Sequence, residues 1–408
     1  MTKVNALSNI DINVSSKNAI LYYLTDDKIM FEKNSTQRIK IASMTKIMTA
    51  IVAIENISNL DEEITITDND YKNVYSQNLA IVGFKVGQTV TYRDLLYGLL
   101  LKSGADCGYA LADSIAGNEE AFVEMVNEKA KDLQLVNTKF TNVVGYDQDN
   151  YSTVYDVTIF FKYALENKIF KEMLFTKSYT TTDGTFTLKN VTDELLLNSN
   201  IQSNYRKYIL GGKTGYTIDA KYCLASVAEY DGTTYIAVTA LGNQNQHIKD
   251  AMLMYETAFD NYTRKRIVGI DDYLVSFKTP TKEELKVFSN QEVDVLLPNE
   301  ASKDDVKLEY KGITNIDDKI KKNEVLGKVN LEYNGEIVKT IDIVYDKKIQ
   351  SSLNYHRITQ PIKRKKHLNI VSIVLSGVGG FILIVVLMFI ISMYIDVKKN
   401  KRRWKFKI

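Results

Sequence analysis

Two pairs of strand-like runs sit at opposite ends of the first 265 residues, and the sequence between them reads mainly as helix. Ala19–Leu24 and Lys28–Phe31 flank a Thr-Asp-Asp turn, while Cys223–Glu229 and Thr234–Leu241 flank Asp231-Gly232, a dipeptide suited to a tight hairpin. Helical periodicity occupies Leu95–Leu101, Cys107–Ala116, Glu119–Leu133, Thr153–Ala164 and His247–Phe259, with a Ser103-Gly104 break and an irregular stretch over Leu60–Thr91. Strands at both ends with helices between them imply one antiparallel sheet closed by terminal hairpins and carrying a helical insertion. The expected fold class is therefore α/β, a sandwich over residues 14–265.

Beyond Ile270 the texture changes to short alternating runs, including Tyr273–Phe277, Glu292–Leu297, Val306–Tyr310, Gly327–Tyr333 and Glu336–Val344, the last two joined by Asn334-Gly335. These predict a small all-β module over 270–349, followed by a linker at 350–367. The uncharged run Leu368–Ile395 is long enough to cross a hydrocarbon core of about 30 Å, so a transmembrane helix is expected there. Of the 52 basic and 50 acidic residues, 11 basic residues and a single acid, Asp396, lie from Lys363 onward, which leaves the body with a net charge of −8. That balance excludes a nucleic-acid binder. The basic residues of 396–408 outnumber those just before the span, so the tail is expected inside the cell and the preceding domains outside. An exported domain needs a leader, and Met1–Val14 has no apolar core for one. The leader is either removed from this sequence or encoded upstream of its first residue. Cys107 and Cys223 lie in apolar stretches and read as small buried hydrophobes, and three histidines give no metal-ligand cluster.

Three short motifs carry chemistry. In Ile41-Ala42-Ser43-Met44-Thr45-Lys46-Ile47-Met48-Thr49, apolar residues at Met44, Ile47, Met48, Ile51 and Val52 predict an amphipathic helix opened by Ser43, with Lys46 one turn on. A serine hydroxyl becomes a nucleophile when a base takes its proton, and a lysine at that spacing reaches the oxygen from the same helix. Helix-opening N–H groups also favour a developing oxyanion. Taken alone, Ser-x-x-Lys is more often a cap followed by a solvated charge. The other two motifs, Ser103-Gly104-Ala105 and Lys213-Thr214-Gly215, follow it in order.

This ordered set resembles the D-alanyl-D-alanine carboxypeptidases, the low-molecular-mass penicillin-binding proteins, over nearly all of Ala19–Tyr345. Gly145-Tyr146-Asp147 with Tyr151-Ser152-Thr153-x-x-Asp156 is similar to the family's loop beside the site, and Glu324–Val329 with Tyr333-Asn334-Gly335 is similar to its β-rich C-terminal module. The resemblance implies a penicillin-binding/β-lactamase-like sandwich and a serine DD-peptidase. In it, Ser43 attacks the peptide carbonyl, Lys46 is the base, and Ser103 relays the proton. Lys213 and Thr214 take the substrate's terminal carboxylate, Gly215 lets an edge strand pair with substrate, and the backbone N–H groups of Ser43 and Tyr216 form the oxyanion hole. The implied partners are peptidoglycan stem peptides and β-lactams. No cofactor and no metal is implied.

Three departures from the family pattern stand out: Ala105 where an Asn is usual, His247 in a region that often holds an arginine, and Thr192-Asp193-Glu194 in place of an Asn-rich turn. Ala105 is counted among the substrate-contacting positions, and Asp106 beside it reads as a helix cap ahead of a direct contact to Lys46. Two rival functions follow. A serine β-lactamase needs a deacylating Glu, and Asn142–Asp156 has none. A weakly active penicillin-binding scaffold is the other, suggested by Ala105.

Overall fold

The computed structural model describes residues 10–345, except 73, 147–148, 199–200, 202, 280–283, 317–319 and 322. The first hairpin is β1 (Asn18–Tyr23) and β2 (Lys28–Lys33), after which a 3-10 turn at Ala42–Met44 runs into α1 (Thr45–Asn56). A small pair, β3 (Glu63–Thr65) and β4 (Thr89–Thr91), precedes three helices, α2 (Tyr92–Leu101), α3 (Ala105–Ala116) and α4 (Glu119–Asp132). Then come α5 (Val154–Glu166), α6 (Lys168–Phe175), the small pair β5 (Ser178–Thr180) and β6 (Thr187–Lys189), and α7 (Val191–Asn198). Strands β7 (Ile209–Thr217), β8 (Lys221–Tyr230) and β9 (Thr233–Gly242) lead to α8 (Gln246–Asn261).

The chain's two hairpin regions meet in one antiparallel sheet of order β2-β1-β9-β8-β7. Side chains alternate across it as the pleat requires. On β1, Ile20 and Tyr22 face the core built with α1, α2, α3 and α5, whereas Ala19, Leu21 and Tyr23 face α8 through Ile248, Met252, Tyr255 and Phe259. The result is a sheet covered on both faces, with α1 in the thicker layer. Local signals fix the helix starts: the Thr91 and Asp94 side chains form a capping box for α2, and the Thr153 side chain accepts from the Asp156 N–H at α5. The hairpin residues Asp231 and Gly232 both have positive φ (49° and 68°), as a tight turn of that twist demands.

Two expectations shift. The stripe on α1 belongs to a helix that is buried all round from Thr45 to Ile54, because its polar residues find partners: Thr49 Oγ1 donates to the Val143 carbonyl (2.6 Å) and Asn150 Nδ2 to Thr45 Oγ1 (2.8 Å). Lys213-Thr214-Gly215, ahead of the two strands β8 and β9, is itself part of a longer strand, β7, at the open edge of the sheet.

Beyond α8 the described chain is all β. Strand β10 (Tyr262–Val268) pairs with β13 (Val293–Pro298), β11 (Tyr273–Lys278) with β12 (Glu284–Phe288), and β14 (Val306–Gly312), β15 (Val325–Tyr333) and β16 (Glu336–Val344) form a three-stranded sheet. Strand β10 follows α8 directly, so the polypeptide enters the β-rich part before the boundary expected near 265–270. Lys28 on β2 donates to the carbonyls of Ile337 and Val338 on β16, joining the two parts. The expected linker and tail, and the run Leu368–Ile395, lie outside the described residues. Among the described residues no helix is long and apolar enough to cross a membrane.

Candidate active site

Ser43 sits in the 3-10 turn that feeds α1, where Ala42 takes a positive φ of 44° that an alanine rarely adopts. Gly145 secures this kink. Its own φ is 90°, and a Cβ there would lie 1.9 Å from the Ala42 carbonyl oxygen, so only glycine lets the loop close over the turn. One turn along α1, Lys46 places Nζ 3.0 Å from Ser43 Oγ. Lys46 is buried, and the loss of solvation pushes it down from the ordinary lysine range to about 7, against an opposing pull from the negative charge of Asp106. Near neutrality a large share of this amine is therefore unprotonated and able to accept the Ser43 proton.

Ser103 enters from the turn between α2 and α3, itself at a positive φ of 60°. Its Oγ lies 2.9 Å from Lys213 Nζ and 3.5 Å from Lys46 Nζ. Lys213, carried by β7, also donates to its neighbour's carbonyl, Thr214 O, at 2.9 Å. Burial pushes Lys213 well below the ordinary lysine range, and repulsion from Lys46 adds to the effect. Two amines thus flank one hydroxyl, and among the described residues neither forms an ion pair.

Strand β7 comes up against the nucleophile turn at Gly215. A Cβ there would stand 2.9 Å from the Ser43 nitrogen and 3.0 Å from Ala42 Cβ, so the glycine is needed for this approach as well as for an open strand edge. A cavity of about 880 Å³ follows that edge, lined among others by Ser43, Lys46, Ser103, Thr214, Gly215 and Tyr216. Tyr216 is half exposed (54%), and its ring stacks toward Tyr222 and on to His247.

Six of the eight anticipated site residues therefore line one cavity. Lys213 stands behind it, its amine held by Ser103 and Thr214. Ala105, counted among the substrate-contacting positions, is fully buried and is not among the residues that line the cavity. Asp106 departs from expectation as well. Its carboxylate neither caps its own helix nor bonds Lys46; it accepts from the backbone of Val82 and Gly83. His247 lines the cavity, but burial pushes its imidazole down to about 4, so at neutral pH it is no substitute for a cationic guanidinium. Thr192, in the departed turn, sits in α7 and donates to the Gly212 carbonyl, bracing β7 from behind. Sequence reasoning missed the wall formed by Gln77, Asn78, Leu79 and Ala80. Its one signal was the buried acid at Asp106 that ties it down.

The sequence matches the D-alanyl-D-alanine carboxypeptidase family (peptidase S11) over residues 3–245 and the C-terminal domain of penicillin-binding protein 5 over 266–351. It is 30% identical to D-alanyl-D-alanine carboxypeptidase DacF of Bacillus subtilis (strain 168), across 79% of this chain and 83% of that protein. The fold is similar to penicillin-binding protein 5 from Haemophilus influenzae (TM-score 0.69, 21% identity, covering 83% of this chain and 98% of that one). It is also similar to the Streptomyces K15 DD-transpeptidase (TM-score 0.56, 30% identity, covering 62% and 100%).

Proposed function

Because the chain belongs to the D-alanyl-D-alanine carboxypeptidase family, a family of serine hydrolases, we propose that it removes the terminal D-Ala from peptidoglycan stem peptides through an acyl-enzyme on Ser43. The observation that carries this is the 3.0 Å approach of the buried Lys46 amine to Ser43 Oγ. Unprotonated Lys46 takes the hydroxyl proton as Oγ attacks the carbonyl carbon of the penultimate D-Ala. Negative charge forms on the carbonyl oxygen, where the N–H groups of Ser43 and Tyr216 receive it. Collapse breaks the C–N bond, and the proton passes from Lys46 through Ser103 to the leaving amine. Water then attacks the ester with Lys46 again as base, releasing the shortened peptide and restoring Ser43.

Lys213 and Thr214 account for the choice of a peptide with a free C-terminal carboxylate. Lys213 offers an amine donor from just behind the cavity, and Thr214 offers a hydroxyl donor on its surface. A β-lactam offers the same carbonyl and carboxylate, so penicillin sensitivity follows from the same contacts. The decisive assay is D-Ala release from a D-Ala-D-Ala peptide together with labelling by a fluorescent penicillin. Release with a persistent label supports the carboxypeptidase. Stable label without release points to a scaffold, and rapid loss of label to a β-lactamase.

We further place the catalytic part outside the cell membrane, held by Leu368–Ile395 with the basic tail inside. The uncharged run and the excess of Lys and Arg after it support this arrangement. Protease added to intact spheroplasts should release a soluble fragment that contains Ser43 and Lys213, and protection of the whole chain would reverse the topology.

A further inference from the structure

The turn that carries Ser103 also carries a buried anion for which the acyl-transfer steps have no role. Asp106 lies in the first turn of α3, fully buried, and forms no ion pair among the described residues. Its Oδ1 accepts from the Val82 N–H (3.1 Å) and its Oδ2 from the Gly83 N–H (2.9 Å), while the Tyr71 hydroxyl stands between Oδ2 (3.3 Å) and the Phe84 carbonyl. Next to it, the Ala105 N–H donates to the Ala80 carbonyl at 2.7 Å. The stretch from Leu79 to Lys85 has no helix or strand of its own to hold it. These bonds fasten it to the start of α3, and the residues that enter it, Gln77 to Ala80, are the wall of the cavity.

The same carboxylate sits on α3, which packs against α1 and follows the Ser103 turn that bonds Lys46, and there it opposes the downward push of burial on the amine. Facing Lys46 are Ser43 from its own turn, Ser103, Lys213 from β7, and Asp106 and Cys107 from α3. Burial pushes the Cys107 thiol well up, which leaves it neutral, so Asp106 is the one anion in this set.

We propose that Asp106 is a positioning residue for the reaction, fixing the Gln77–Ala80 wall against the Ser103 turn and supplying the negative charge that balances the Lys46 amine. This rests on Ser43 and Lys46 acting as nucleophile and base. An asparagine at 106 keeps the shape but removes the charge, and its NH2 group must face a backbone N–H that needs an acceptor. Loss of a neighbouring anion destabilises the ammonium, so Lys46 sheds its proton at lower pH.

The test is kcat/KM for D-Ala release against pH in full-length Asp106→Asn, with hydrogen exchange read at Val82 and Gly83. The acid limb should move to lower pH, KM should rise about tenfold, and both amides should exchange faster. Tyr71→Phe keeps the charge and loses one donor, so it should raise KM about twofold to threefold with the limb unmoved. An unmoved limb in Asp106→Asn overturns the electrostatic role, since a merely structural residue would leave it in place. Unchanged KM and exchange overturn the positioning role, and if Asp106→Asn fails to fold, an unchanged KM and Gly83 exchange in Tyr71→Phe does so instead. D-Ala release by Ser43→Ala would instead remove the nucleophile on which the proposal stands, whatever Asp106 does.

Discussion

In the β-rich part, cations meet carboxylates at the surface: Arg264 and Arg266 with Asp294, Arg266 with Glu292, Lys303 with Asp272, and Lys328 with Asp342. Around Ser43 the pattern inverts, with Lys46 and Lys213 both buried and each bonded to neutral oxygens only. Water screens the first kind of pair, so its members stay charged and contribute little to stability. Burial strips the second kind of solvation without supplying a bonded counter-ion, and both amines are pushed below the ordinary lysine range. The contrast sets the candidate site apart as the place where buried amines have no bonded counter-ion.

The largest effect should come from removing the Ser43 hydroxyl or the Lys46 amine bonded to it. Ser43→Ala and Lys46→Ala are each expected to slow acylation by a fluorescent penicillin at least about a thousandfold, with the double variant no worse, since nucleophile and base act as a unit. Wild-type labelling in Ser43→Ala would exclude it as nucleophile, and near-normal acylation of Lys46→Ala would assign the base elsewhere. A smaller change should follow from giving Lys46 a bonded partner. In Ala105→Asn the amide oxygen can accept from the ammonium and the NH2 can donate to substrate, which should raise the second-order acylation constant about tenfold to a hundredfold. The amide would also favour protonated Lys46, so the gain is read above about pH 8. No gain there would mean that other groups already orient base and substrate. Smallest of all is Lys328→Ala on the exposed Lys328–Asp342 pair, expected to move Tm by less than about 2 °C and to leave acylation unchanged. A larger fall would break the contrast between the two regions.

Both hairpins were legible because Asp231-Gly232 and Asn334-Gly335 need positive φ at each residue, and the sequence supplies types that tolerate it. Ser43, Lys46 and Ser103 were legible because their spacing on helix and turn is local. Strand β7 was legible only as an edge at Gly215 and not in its full extent, because Gly211, Gly212 and Gly215 lower its strand propensity. The structure explains each: a Cβ would meet the Leu174 carbonyl at 211, the Ala225 carbonyl at 212 and the Ser43 turn at 215. Nor was the Gln77–Ala80 wall, which has no periodicity and leads into backbone held by the Asp106 carboxylate at Val82 and Gly83. The strain at Ala42 and Ser103 has no sequence signature either, since it is imposed by long-range neighbours.

Sheet order has a consequence for how the molecule comes into being. Asn18 pairs with Ala240 and Tyr23 with Tyr235, so β1 gains its central neighbour only when β9 is present. Until then Ser43 and Lys213 belong to separate fragments, and closing so long a loop makes for a slow, topology-limited search. Closure of the sheet therefore waits on Thr233–Gly242 taking its place between β1 and β8, and until then β7 is not held against the turn that carries Ser43.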